Sequence, residues 1–383
     1  MRWDPRTCIV LGGGIAGASA AWHLQQRLGD RHRGRGQGFR VTLVEQEAGP
    51  GRHATSQNAA MVRGLAGEDW IRPLSIEGQQ FWNRGTSSLP LPRAAFRKTG
   101  SLLLASEEET AKKLQAWVLH AQHLGSPAEM WSAERCRMVV PCLRGSPLIA
   151  GAYSPDDGIA DPLMLTEAFL KAMVREGGSL RLETKVEAIL VERGKVRGVS
   201  LADGSKLEAS ALVLAAGAWS PGFLRSLGLS DRGIGVFRRH IHCSLVGADL
   251  LEKAPGFLWH LDLQAYVRVE GDGLLFSACD AEPCPPGLPQ EDSSLLDRVS
   301  ERLSSCFPFL QDLPISRFWA GLRTYRPDHR FLLGEDPEIQ GLFHATALGG
   351  HGVTCAAPVG RITAEAVQAW HQDQERRGQK AFF

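Results

Sequence analysis

The apolar residues near the start of the chain predict a strand, a helix and a second strand. Residues 7–11 form a short, β-branched and wholly apolar run, which is typical of a strand buried on both faces. An alanine-rich stretch at 18–28 follows with helical spacing of its apolar positions, and residues 40–44 form a second strand-like run. Elements of both α and β type are therefore predicted before residue 45.

The rest of the chain alternates between strand-like and helix-like patterns and supplies a second domain. Strands are predicted where apolar residues alternate or form short runs, at 97–104, 184–191, 196–201, 211–220, 258–278 and 341–347. Helices are predicted where apolar residues recur at helical spacing, at 107–124, 293–304 and 358–372.

Composition and charge describe an ordinary globular protein, for which we expect two domains. The 383 residues are 43% hydrophobic and 22% charged, so a sizeable core can be buried. The 43 basic and 42 acidic side chains give a formal net charge of +1, which argues against a dedicated nucleic-acid binder. No run of about 18 apolar residues occurs, so we expect no integral membrane segment.

The cysteines favour a reducing compartment. Eight cysteines are scattered without a Cys-x-x-Cys pair, and the first residues lack the pattern of a signal peptide. Cys279 and Cys284 flank a proline-rich loop, but two isolated thiols do not make a metal site, and no metal is expected. We therefore expect reduced thiols and a cytoplasmic location.

A Gly-x-Gly-x-x-Gly motif lies between the first strand and the first helix. Gly12 permits the tight turn, Gly14 lets the backbone approach a pyrophosphate, and Gly17 lets helix and strand pack closely. The helix N-terminus offers N–H groups and a positive dipole end to phosphates. The second strand ends in Glu45, which is placed to accept hydrogen bonds from a ribose, although a basic, glycine-rich insertion at 29–38, interpreted as a solvated loop, lengthens the spacing. Adenine dinucleotide binding is predicted.

Two other segments are suited to a long cofactor. Residues 49–64 are rich in small and hydroxyl side chains and have no periodicity, so their backbone donors can wrap around a ligand. Residues 348–354 form a second glycine-rich junction between a strand and a helix. That junction directs another helix N-terminus toward an anionic or electron-rich group.

These features, in this order, resemble the FAD-dependent D-amino-acid oxidase superfamily, in the branch with glycine oxidase, sarcosine oxidase and D-arginine dehydrogenase. The resemblance spans essentially the whole chain. Besides the opening fingerprint and the 49–64 segment, it rests on Ala-Ala-Gly-Ala-Trp at 215–219, Trp-Ala-Gly-Leu-Arg at 319–323, Arg-Pro-Asp at 326–328 and Gly-Gly-His-Gly at 349–352.

The resemblance implies an α/β fold, α+β overall, with two domains. A Rossmann-like FAD-binding domain with a three-layer ββα arrangement would be assembled from residues 1–85, 150–225 and 335–383. A substrate domain built on a large mixed or antiparallel sheet would take residues 86–149 and 226–334.

The resemblance also implies FAD, which we expect to be bound without a covalent link. Sarcosine oxidases attach FAD through a cysteine at the position that Gly321 occupies here. His53 lies where some dimethylglycine dehydrogenase-like relatives attach FAD, but non-covalent relatives also have a histidine there. The residues implied to hold the cofactor are Gly12, Gly14, Ile15, Ala16, Gly17, Glu45, Gln46, His53, Thr55, Ser56, Ala60, Met61, Val186, Ala216, Gly217, Trp219, Gly349, Gly350, His351, Gly352, Val353 and Thr354.

Three residues are implied as catalytic. Arg323 takes the position of the arginine that pairs with a substrate carboxylate, and a planar guanidinium suits a bidentate grip. Tyr266 takes the position of an assisting tyrosine hydroxyl, with half-buried packing in a strand as the alternative. His351 either faces the flavin ring or is a structural histidine.

Three more residues are candidates for contact with the substrate. Where D-arginine dehydrogenase-like members carry a histidine and hydroxyl side chains, this chain has Met61, Val62 and Arg63, so a basic D-amino acid is not favoured. Arg63 either favours a second acidic group or forms a surface salt bridge. Arg239 either lines the pocket or lies at a solvated edge.

The function implied is removal of a hydride from the Cα or N-methyl carbon of a small carboxylate-bearing amine, such as a D-amino acid, glycine or an N-methyl amino acid. Such a reaction needs the flavin to accept the hydride and an acceptor, either oxygen or a quinone or electron-transfer partner, to reoxidise it. Two alternatives stay open: an FAD-dependent 2-hydroxy acid dehydrogenase and a non-catalytic flavoprotein assembly factor.

Overall fold

The computed structural model describes residues 6–29 and 39–380. The loop predicted at 29–38 lies, beyond Gly29, outside the described residues. In chain order, the α-helices of the described part are α1 (Ile15–Leu28), α2 (Arg72–Arg84), α3 (Glu108–His123), α4 (Ala133–Val139), α5 (Pro162–Arg175), α6 (Ser220–Ser226), α7 (Leu296–Cys306) and α8 (Ala356–Lys380).

The strands of the described residues fall into four sheets. In chain order they are β1 (Thr7–Leu11), β2 (Arg40–Val44), β3 (Met61–Val62), β4 (Phe96–Lys98), β5 (Ser101–Ala105), β6 (Glu129–Ser132), β7 (Ala150–Ser154), β8 (Gly158–Ala160), β9 (Ser179–Arg181), β10 (Val186–Glu192), β11 (Lys195–Leu201), β12 (Lys206–Glu208), β13 (Ala211–Leu214), β14 (Gly235–Gly247), β15 (Phe257–His260), β16 (Ala265–Glu270), β17 (Gly273–Ser277), β18 (Glu282–Pro283), β19 (Arg317–Tyr325), β20 (Leu332–Glu335) and β21 (Leu342–Thr346).

The first domain has three layers. Its central sheet has the order β20-β21-β13-β1-β2-β9, and all of its pairings are parallel except that of β20 with β21. Alternate residues of β1 face opposite layers: Cys8 and Val10 pack toward α1, α5 and α8, whereas Ile9 and Leu11 pack toward the meander β10-β11-β12. The three-layer ββα arrangement is thereby observed.

The second domain is built on a mixed sheet of nine described strands. The order is β18-β14-β17-β16-β15-β5-β7-β6, with β19 paired to β14, and only the β15–β5 pairing is parallel in this part of the chain. One face of this sheet packs a core that includes Val267 and Phe276, and α7 contributes Leu303 to it. The other face carries Ile241, Trp259 and Tyr266. The sheet β3-β8-β4 links this domain to the first.

Three predicted boundaries differ from the structure. The strand predicted at 97–104 is two strands in different sheets, because Gly100 has a φ of +71° and the N–H groups of Thr99 and Gly100 both donate to the carbonyl oxygen of Asp157. β7 pairs in the large sheet although 150–225 was assigned to the FAD-binding domain. β20 pairs in the central sheet although 226–334 was assigned to the substrate domain.

The last helix is longer than predicted. Helical spacing of apolar residues predicted 358–372, whereas α8 runs from Ala356 to Lys380. Ion pairs with helical spacing, His371–Glu375 and Asp373–Arg377, stabilise turns that lack an apolar face.

Candidate active site

The glycine motif forms a tight cradle at the carboxyl end of β1. Gly12 has a φ of +113°, and a Cβ there would lie 2.5 Å from the carbonyl oxygen of Ala215. A Cβ on Gly17 would collide with the carbonyl oxygen of Gly12, so α1 lies directly against the turn. Gly14 is the N-cap of α1 and offers no side chain, while the N–H of Ile15 donates to Thr55 Oγ1 at 3.1 Å. The helix start thus presents backbone rather than side chains to the cleft.

Glu45 lies beside this cradle, at the carboxyl end of β2. Its Oε2 accepts a hydrogen bond from the N–H of Gly13 at 2.5 Å, and its Oε1 accepts one from the N–H of Glu47 at 3.0 Å. These two backbone donors fix the carboxylate at the edge of the cleft. It lies where the sequence predicts a contact with a ribose.

A continuous cleft runs from this cradle to the substrate domain. It reaches Arg239 and Arg323 at its far end. The predicted cofactor residues that line it are Gly12, Gly14, Ile15, Ala16, Glu45, Gln46, His53, Thr55, Val186, Ala216, Gly217, Trp219, Gly349, Gly350, Gly352 and Val353.

The other predicted cofactor residues lie around the cleft rather than along it. Gly17 packs beneath Gly12, and Thr354 Oγ1 accepts the N–H of Arg63 at 3.1 Å. Ser56 donates its N–H to the carbonyl oxygen of Gly51. The remaining members of this group are Ala60, Met61 and His351.

Sequence reasoning missed several residues of the cleft wall. Gln57, Asn58 and Lys185 line it, as does Arg52. Arg52, Gln57 and Asn58 lie in the 49–64 segment. Its lack of periodicity indicates that it wraps around a ligand but does not show which side chains turn inward. Lys185 directly precedes β10, and no sequence signal separates it from a surface lysine.

The cradle, the fixed carboxylate and the elongated cleft fit an adenine dinucleotide such as FAD. The close approach of Gly12 and Gly17 leaves no room for side chains where a pyrophosphate would lie. His53 is engaged elsewhere: its Nε2 lies 3.0 Å from Glu47 Oε1 and its ring centroid lies 4.6 Å from that of Trp219.

The substrate sheet directs two of the predicted residues into the end of the cleft. In the antiparallel pairing of β14 with β19, Arg239 lies opposite Gly321 and Phe237 lies opposite Arg323, so both arginines lie on one face. A Cβ on Gly350 would collide with Nη1 of Arg323. The guanidinium of Arg323 therefore rests on the glycine-rich junction that precedes α8.

Tyr266 lies on the same face of the sheet, opposite Trp259 and Ser277. Its side chain is fully buried, and its hydroxyl has no hydrogen-bond partner among the described residues. Burial raises the pKa of Tyr266 above its usual value, so the hydroxyl is protonated at neutral pH.

The arginines of the site lack carboxylate partners. Within the described part of the chain, no ion pair involves Arg63, Arg239 or Arg323, all half-buried. Burial, followed by the nearby charge of Arg239, lowers the pKa of Arg323 to about 10. Arg239 donates from Nε to the carbonyl oxygen of Asp280 at 2.9 Å and from Nη2 to that of Cys279 at 3.2 Å.

Arg63 and His351 lie beside this end of the cleft, near enough to Arg323 to interact with it electrostatically, but do not line it. The guanidinium carbon of Arg63 lies 4.1 Å from the centroid of the Trp259 ring, so this residue is not the surface salt bridge that was one sequence-based alternative. Burial, and then the charges of Arg63 and Arg323, lower the pKa of His351 well below its usual value. The imidazole is accordingly neutral.

A two-domain fold with a dinucleotide cleft leading to a cationic substrate face defines a flavin-dependent class of proteins. The family described as FAD dependent oxidoreductase matches residues 7–366, and the chain belongs to this family. FAD is the cofactor of the family. No described helix combines the length and apolar character that a membrane crossing requires.

Individual relatives are similar at modest identity. The chain is 26% identical over 374 residues to 4-methylaminobutanoate oxidase (formaldehyde-forming) of Paenarthrobacter nicotinovorans, covering 94% of this chain and 43% of that protein. It is 24% identical over 386 residues to mitochondrial dimethylglycine dehydrogenase of Mus musculus, covering 95% and 42%. This chain thus spans less than half the length of these two relatives. The crystal structure of L-proline dehydrogenase from P. horikoshii superposes with a TM-score of 0.83 at 23% identity, covering 96% of this chain and 94% of that one.

Proposed function

We propose that this protein uses FAD to oxidise a small amine that carries a carboxylate, by removal of a hydride from the Cα or an N-methyl carbon. The observation that carries the proposal is Arg323, a half-buried guanidinium without a carboxylate partner among the described residues, at the point where the cofactor cleft meets the substrate sheet. A buried cation in such a place is stabilised by an anionic ligand. The names of all three relatives given above denote amines that carry a carboxylate.

The proposed oxidation converts the C–N single bond of the amine into a C=N bond. The C–H bond next to nitrogen breaks, and its hydrogen leaves with both electrons while the nitrogen lone pair forms a C=N bond. When bound, FAD supplies the two-electron acceptor. Water then hydrolyses the imine to a keto acid or an aldehyde and an amine, and the electrons pass on to oxygen or to a quinone or electron-transfer partner.

The chain's own residues bind the substrate and control its protonation. Arg323 binds the carboxylate, and the protonated hydroxyl of Tyr266 is available as a hydrogen-bond donor. A protonated substrate amine would be a further cation beside Arg63, Arg239 and Arg323, so these charges lower the pKa of the bound amine. The site thereby favours the neutral amine, whose lone pair the reaction requires.

We further propose that FAD is bound without a covalent link and that the protein is cytoplasmic. Non-covalent binding is supported by His53, whose Nε2 is engaged by Glu47, and by Gly321, which offers no thiol. A cytoplasmic location is supported by the absence of disulfides among all eight cysteines, each of which lies in the described part of the chain. Release of flavin by acid precipitation tests the first statement, and cell fractionation tests the second.

The activity is tested by anaerobic reduction of the bound flavin. The holoprotein is mixed with D-, L- and N-methyl amino acids and with 2-hydroxy acids while the flavin absorbance is recorded. We expect bleaching by an amine-bearing acid and its loss in Arg323→Met. Arg317→Met is the matched control, because Arg317 lies six residues earlier on β19 but is exposed.

Each other outcome contradicts the proposal in a different way. Bleaching by 2-hydroxy acids alone would establish a hydroxy acid dehydrogenase instead. A flavin that no compound reduces would favour the non-catalytic assembly factor. Re-aeration after bleaching distinguishes an oxidase from a dehydrogenase.

A further inference from the structure

The far end of the cleft is surrounded by more positive charge than one carboxylate neutralises, because Arg239 and Arg323 line it and Arg63 is near enough to Arg323 to interact with it electrostatically. Elsewhere in the described chain, half-buried arginines pair with carboxylates, as Arg232 does with Asp336 at 2.9 Å and Arg238 with Glu282 at 2.6 Å. Arg63, Arg239 and Arg323 have no such partner within the described ranges. A neutral amine with one carboxylate therefore leaves two of these three guanidinium groups without an ion-pair partner.

Neither Asp280 nor Asp157 supplies an ion-pair partner to this cluster. Asp280 interacts electrostatically with Arg239, but its carboxylate lies 2.7 Å from Nδ1 of His240. Asp157 attracts Arg63 electrostatically, but no ion pair within 4 Å joins them in the described structure. Its oxygens accept hydrogen bonds from the N–H of Gly64 at 2.7 Å, from Ser101 Oγ at 2.5 Å and from Gln79 Nε2 at 2.5 Å. The carboxylate of Asp157 thus holds the loop that carries Arg63 and is committed to that loop.

Arg323 and Arg63 pack against different parts of the protein. Arg323 rests on Gly350, and Arg239 is the cation that contributes most to lowering its pKa. Arg63 lies instead on the ring of Trp259, which packs on Tyr266 with 5.1 Å between ring centroids. Two positions are therefore candidates for anionic groups, one at Arg323 with Arg239 and the other at Arg63.

We propose that the substrate is an amine that carries two carboxylates, one bound by Arg323 beside Arg239 and the other by Arg63. This inference rests on the proposed function, since it names the substrate class of the same site. A second carboxylate leaves only one of the three guanidinium groups without an ion-pair partner. It also gives Arg63 the charge-assisted partner that the protein does not supply.

The first test measures binding without turnover. Perturbation of the flavin absorbance of the holoprotein gives dissociation constants for unreactive succinate and malonate and for their monoacid counterparts propionate and acetate. We expect the dicarboxylates to bind at least about tenfold more tightly, as a charge-assisted contact requires. Equal affinity for diacids and monoacids would overturn the inference.

The second test uses turnover and variants. Anaerobic flavin reduction is compared for iminodiacetate, N-methylaspartate and aspartate against sarcosine, N-methylalanine and alanine. Arg63→Met is expected to lower kcat/KM for diacids by roughly 10- to 100-fold more than for monoacids, and Arg63→Lys, which keeps the charge, by less. Arg135→Met is the matched control, because Arg135 also lies on a tryptophan, 4.5 Å from the Trp131 ring centroid, but pairs with Glu129 and, unlike Arg63, is not among the charges that act on Arg323. An equal loss for both substrate classes in Arg63→Met would overturn the inference.

The two proposals fail in distinguishable ways. If monoacid amines reduce the flavin as well as diacids do, the proposed function stands and the diacid inference is wrong. If no amine reduces the flavin yet dicarboxylates bind in an Arg63-dependent manner, the proposed function is wrong while the second anion site stands. If only 2-hydroxy diacids reduce the flavin, the proposed function is likewise wrong while the second anion site stands.

Discussion

Gly350 supports the guanidinium of Arg323, and its replacement by alanine tests the substrate site directly. Gly350 has a φ of +88°, and the added Cβ would occupy the position of Arg323 Nη1. The backbone strain costs roughly 1–2 kcal/mol. Displacing the guanidinium also weakens hydrogen bonds between charged groups, each of which contributes roughly 1.5–3 kcal/mol. Since 1.4 kcal/mol is a factor of ten, we expect substrate affinity to fall roughly 10- to 100-fold.

The neighbouring glycine separates strain from displacement. Gly349 also has a positive φ, +55°, but a Cβ there would meet Tyr325 Cβ at 3.7 Å, an ordinary contact, and would not touch Arg323. Both variants are compared as holoproteins with equal flavin content, by thermal denaturation and by titration of the flavin absorbance with a carboxylate ligand. We expect the two variants to lose similar amounts of stability, but Gly350→Ala to lose far more affinity for the carboxylate ligand than Gly349→Ala. Equal affinities in the two variants would refute the placement of Arg323 against Gly350.

Two further predictions concern the cofactor cradle and the central sheet. Gly17→Val is expected to abolish retention of flavin during gel filtration, because its side chain would collide with the carbonyl oxygen of Gly12. Gly222→Ala is the control and should retain flavin, because no atom lies within 4 Å of the added Cβ. If both variants retained flavin, the assignment of the glycine turn to cofactor binding would be contradicted. Burial alone would raise the pKa of Asp336, but hydrogen bonds from His344, Arg232 and backbone N–H groups hold it below its usual value. A depressed folded-state pKa stabilises the protein above the unfolded pKa, so stability should fall as pH drops below about 4. Asp336→Asn should lose less stability over that interval in urea titrations, and an unchanged pH dependence would contradict this prediction.

The cofactor cradle was predictable because its determinants are contiguous in sequence. Strand, glycines and helix follow one another within residues 7–28, and Glu45 ends the next strand, so local rules place them together. The resemblance supplied Arg323 and Tyr266 in the same way, by position in ordered motifs.

The environment of the other arginines was not predictable from sequence. Whether Arg63 is exposed or packs against an aromatic ring depends on Trp259, which is almost 200 residues away along the chain. Arg239 neighbours Arg323 only because β14 pairs with β19. For the same reason the division of 97–104 into two strands was missed: the interruption depends on the distant carbonyl oxygen of Asp157.

The pleat of the substrate sheet has an evolutionary consequence. Along β14 and β16, Arg239, Ile241 and the buried Tyr266 lie on the face toward the cleft, which Arg239 and Ile241 line, while neighbours such as Ala265 and Val267 face the core on the other side. Substrate choice and domain stability are therefore encoded at alternating positions of the same segments. Substitution of Arg239, which lines the cleft and belongs to neither core cluster, can change specificity without loss of the core, whereas deletion of a single residue would exchange the two faces at once.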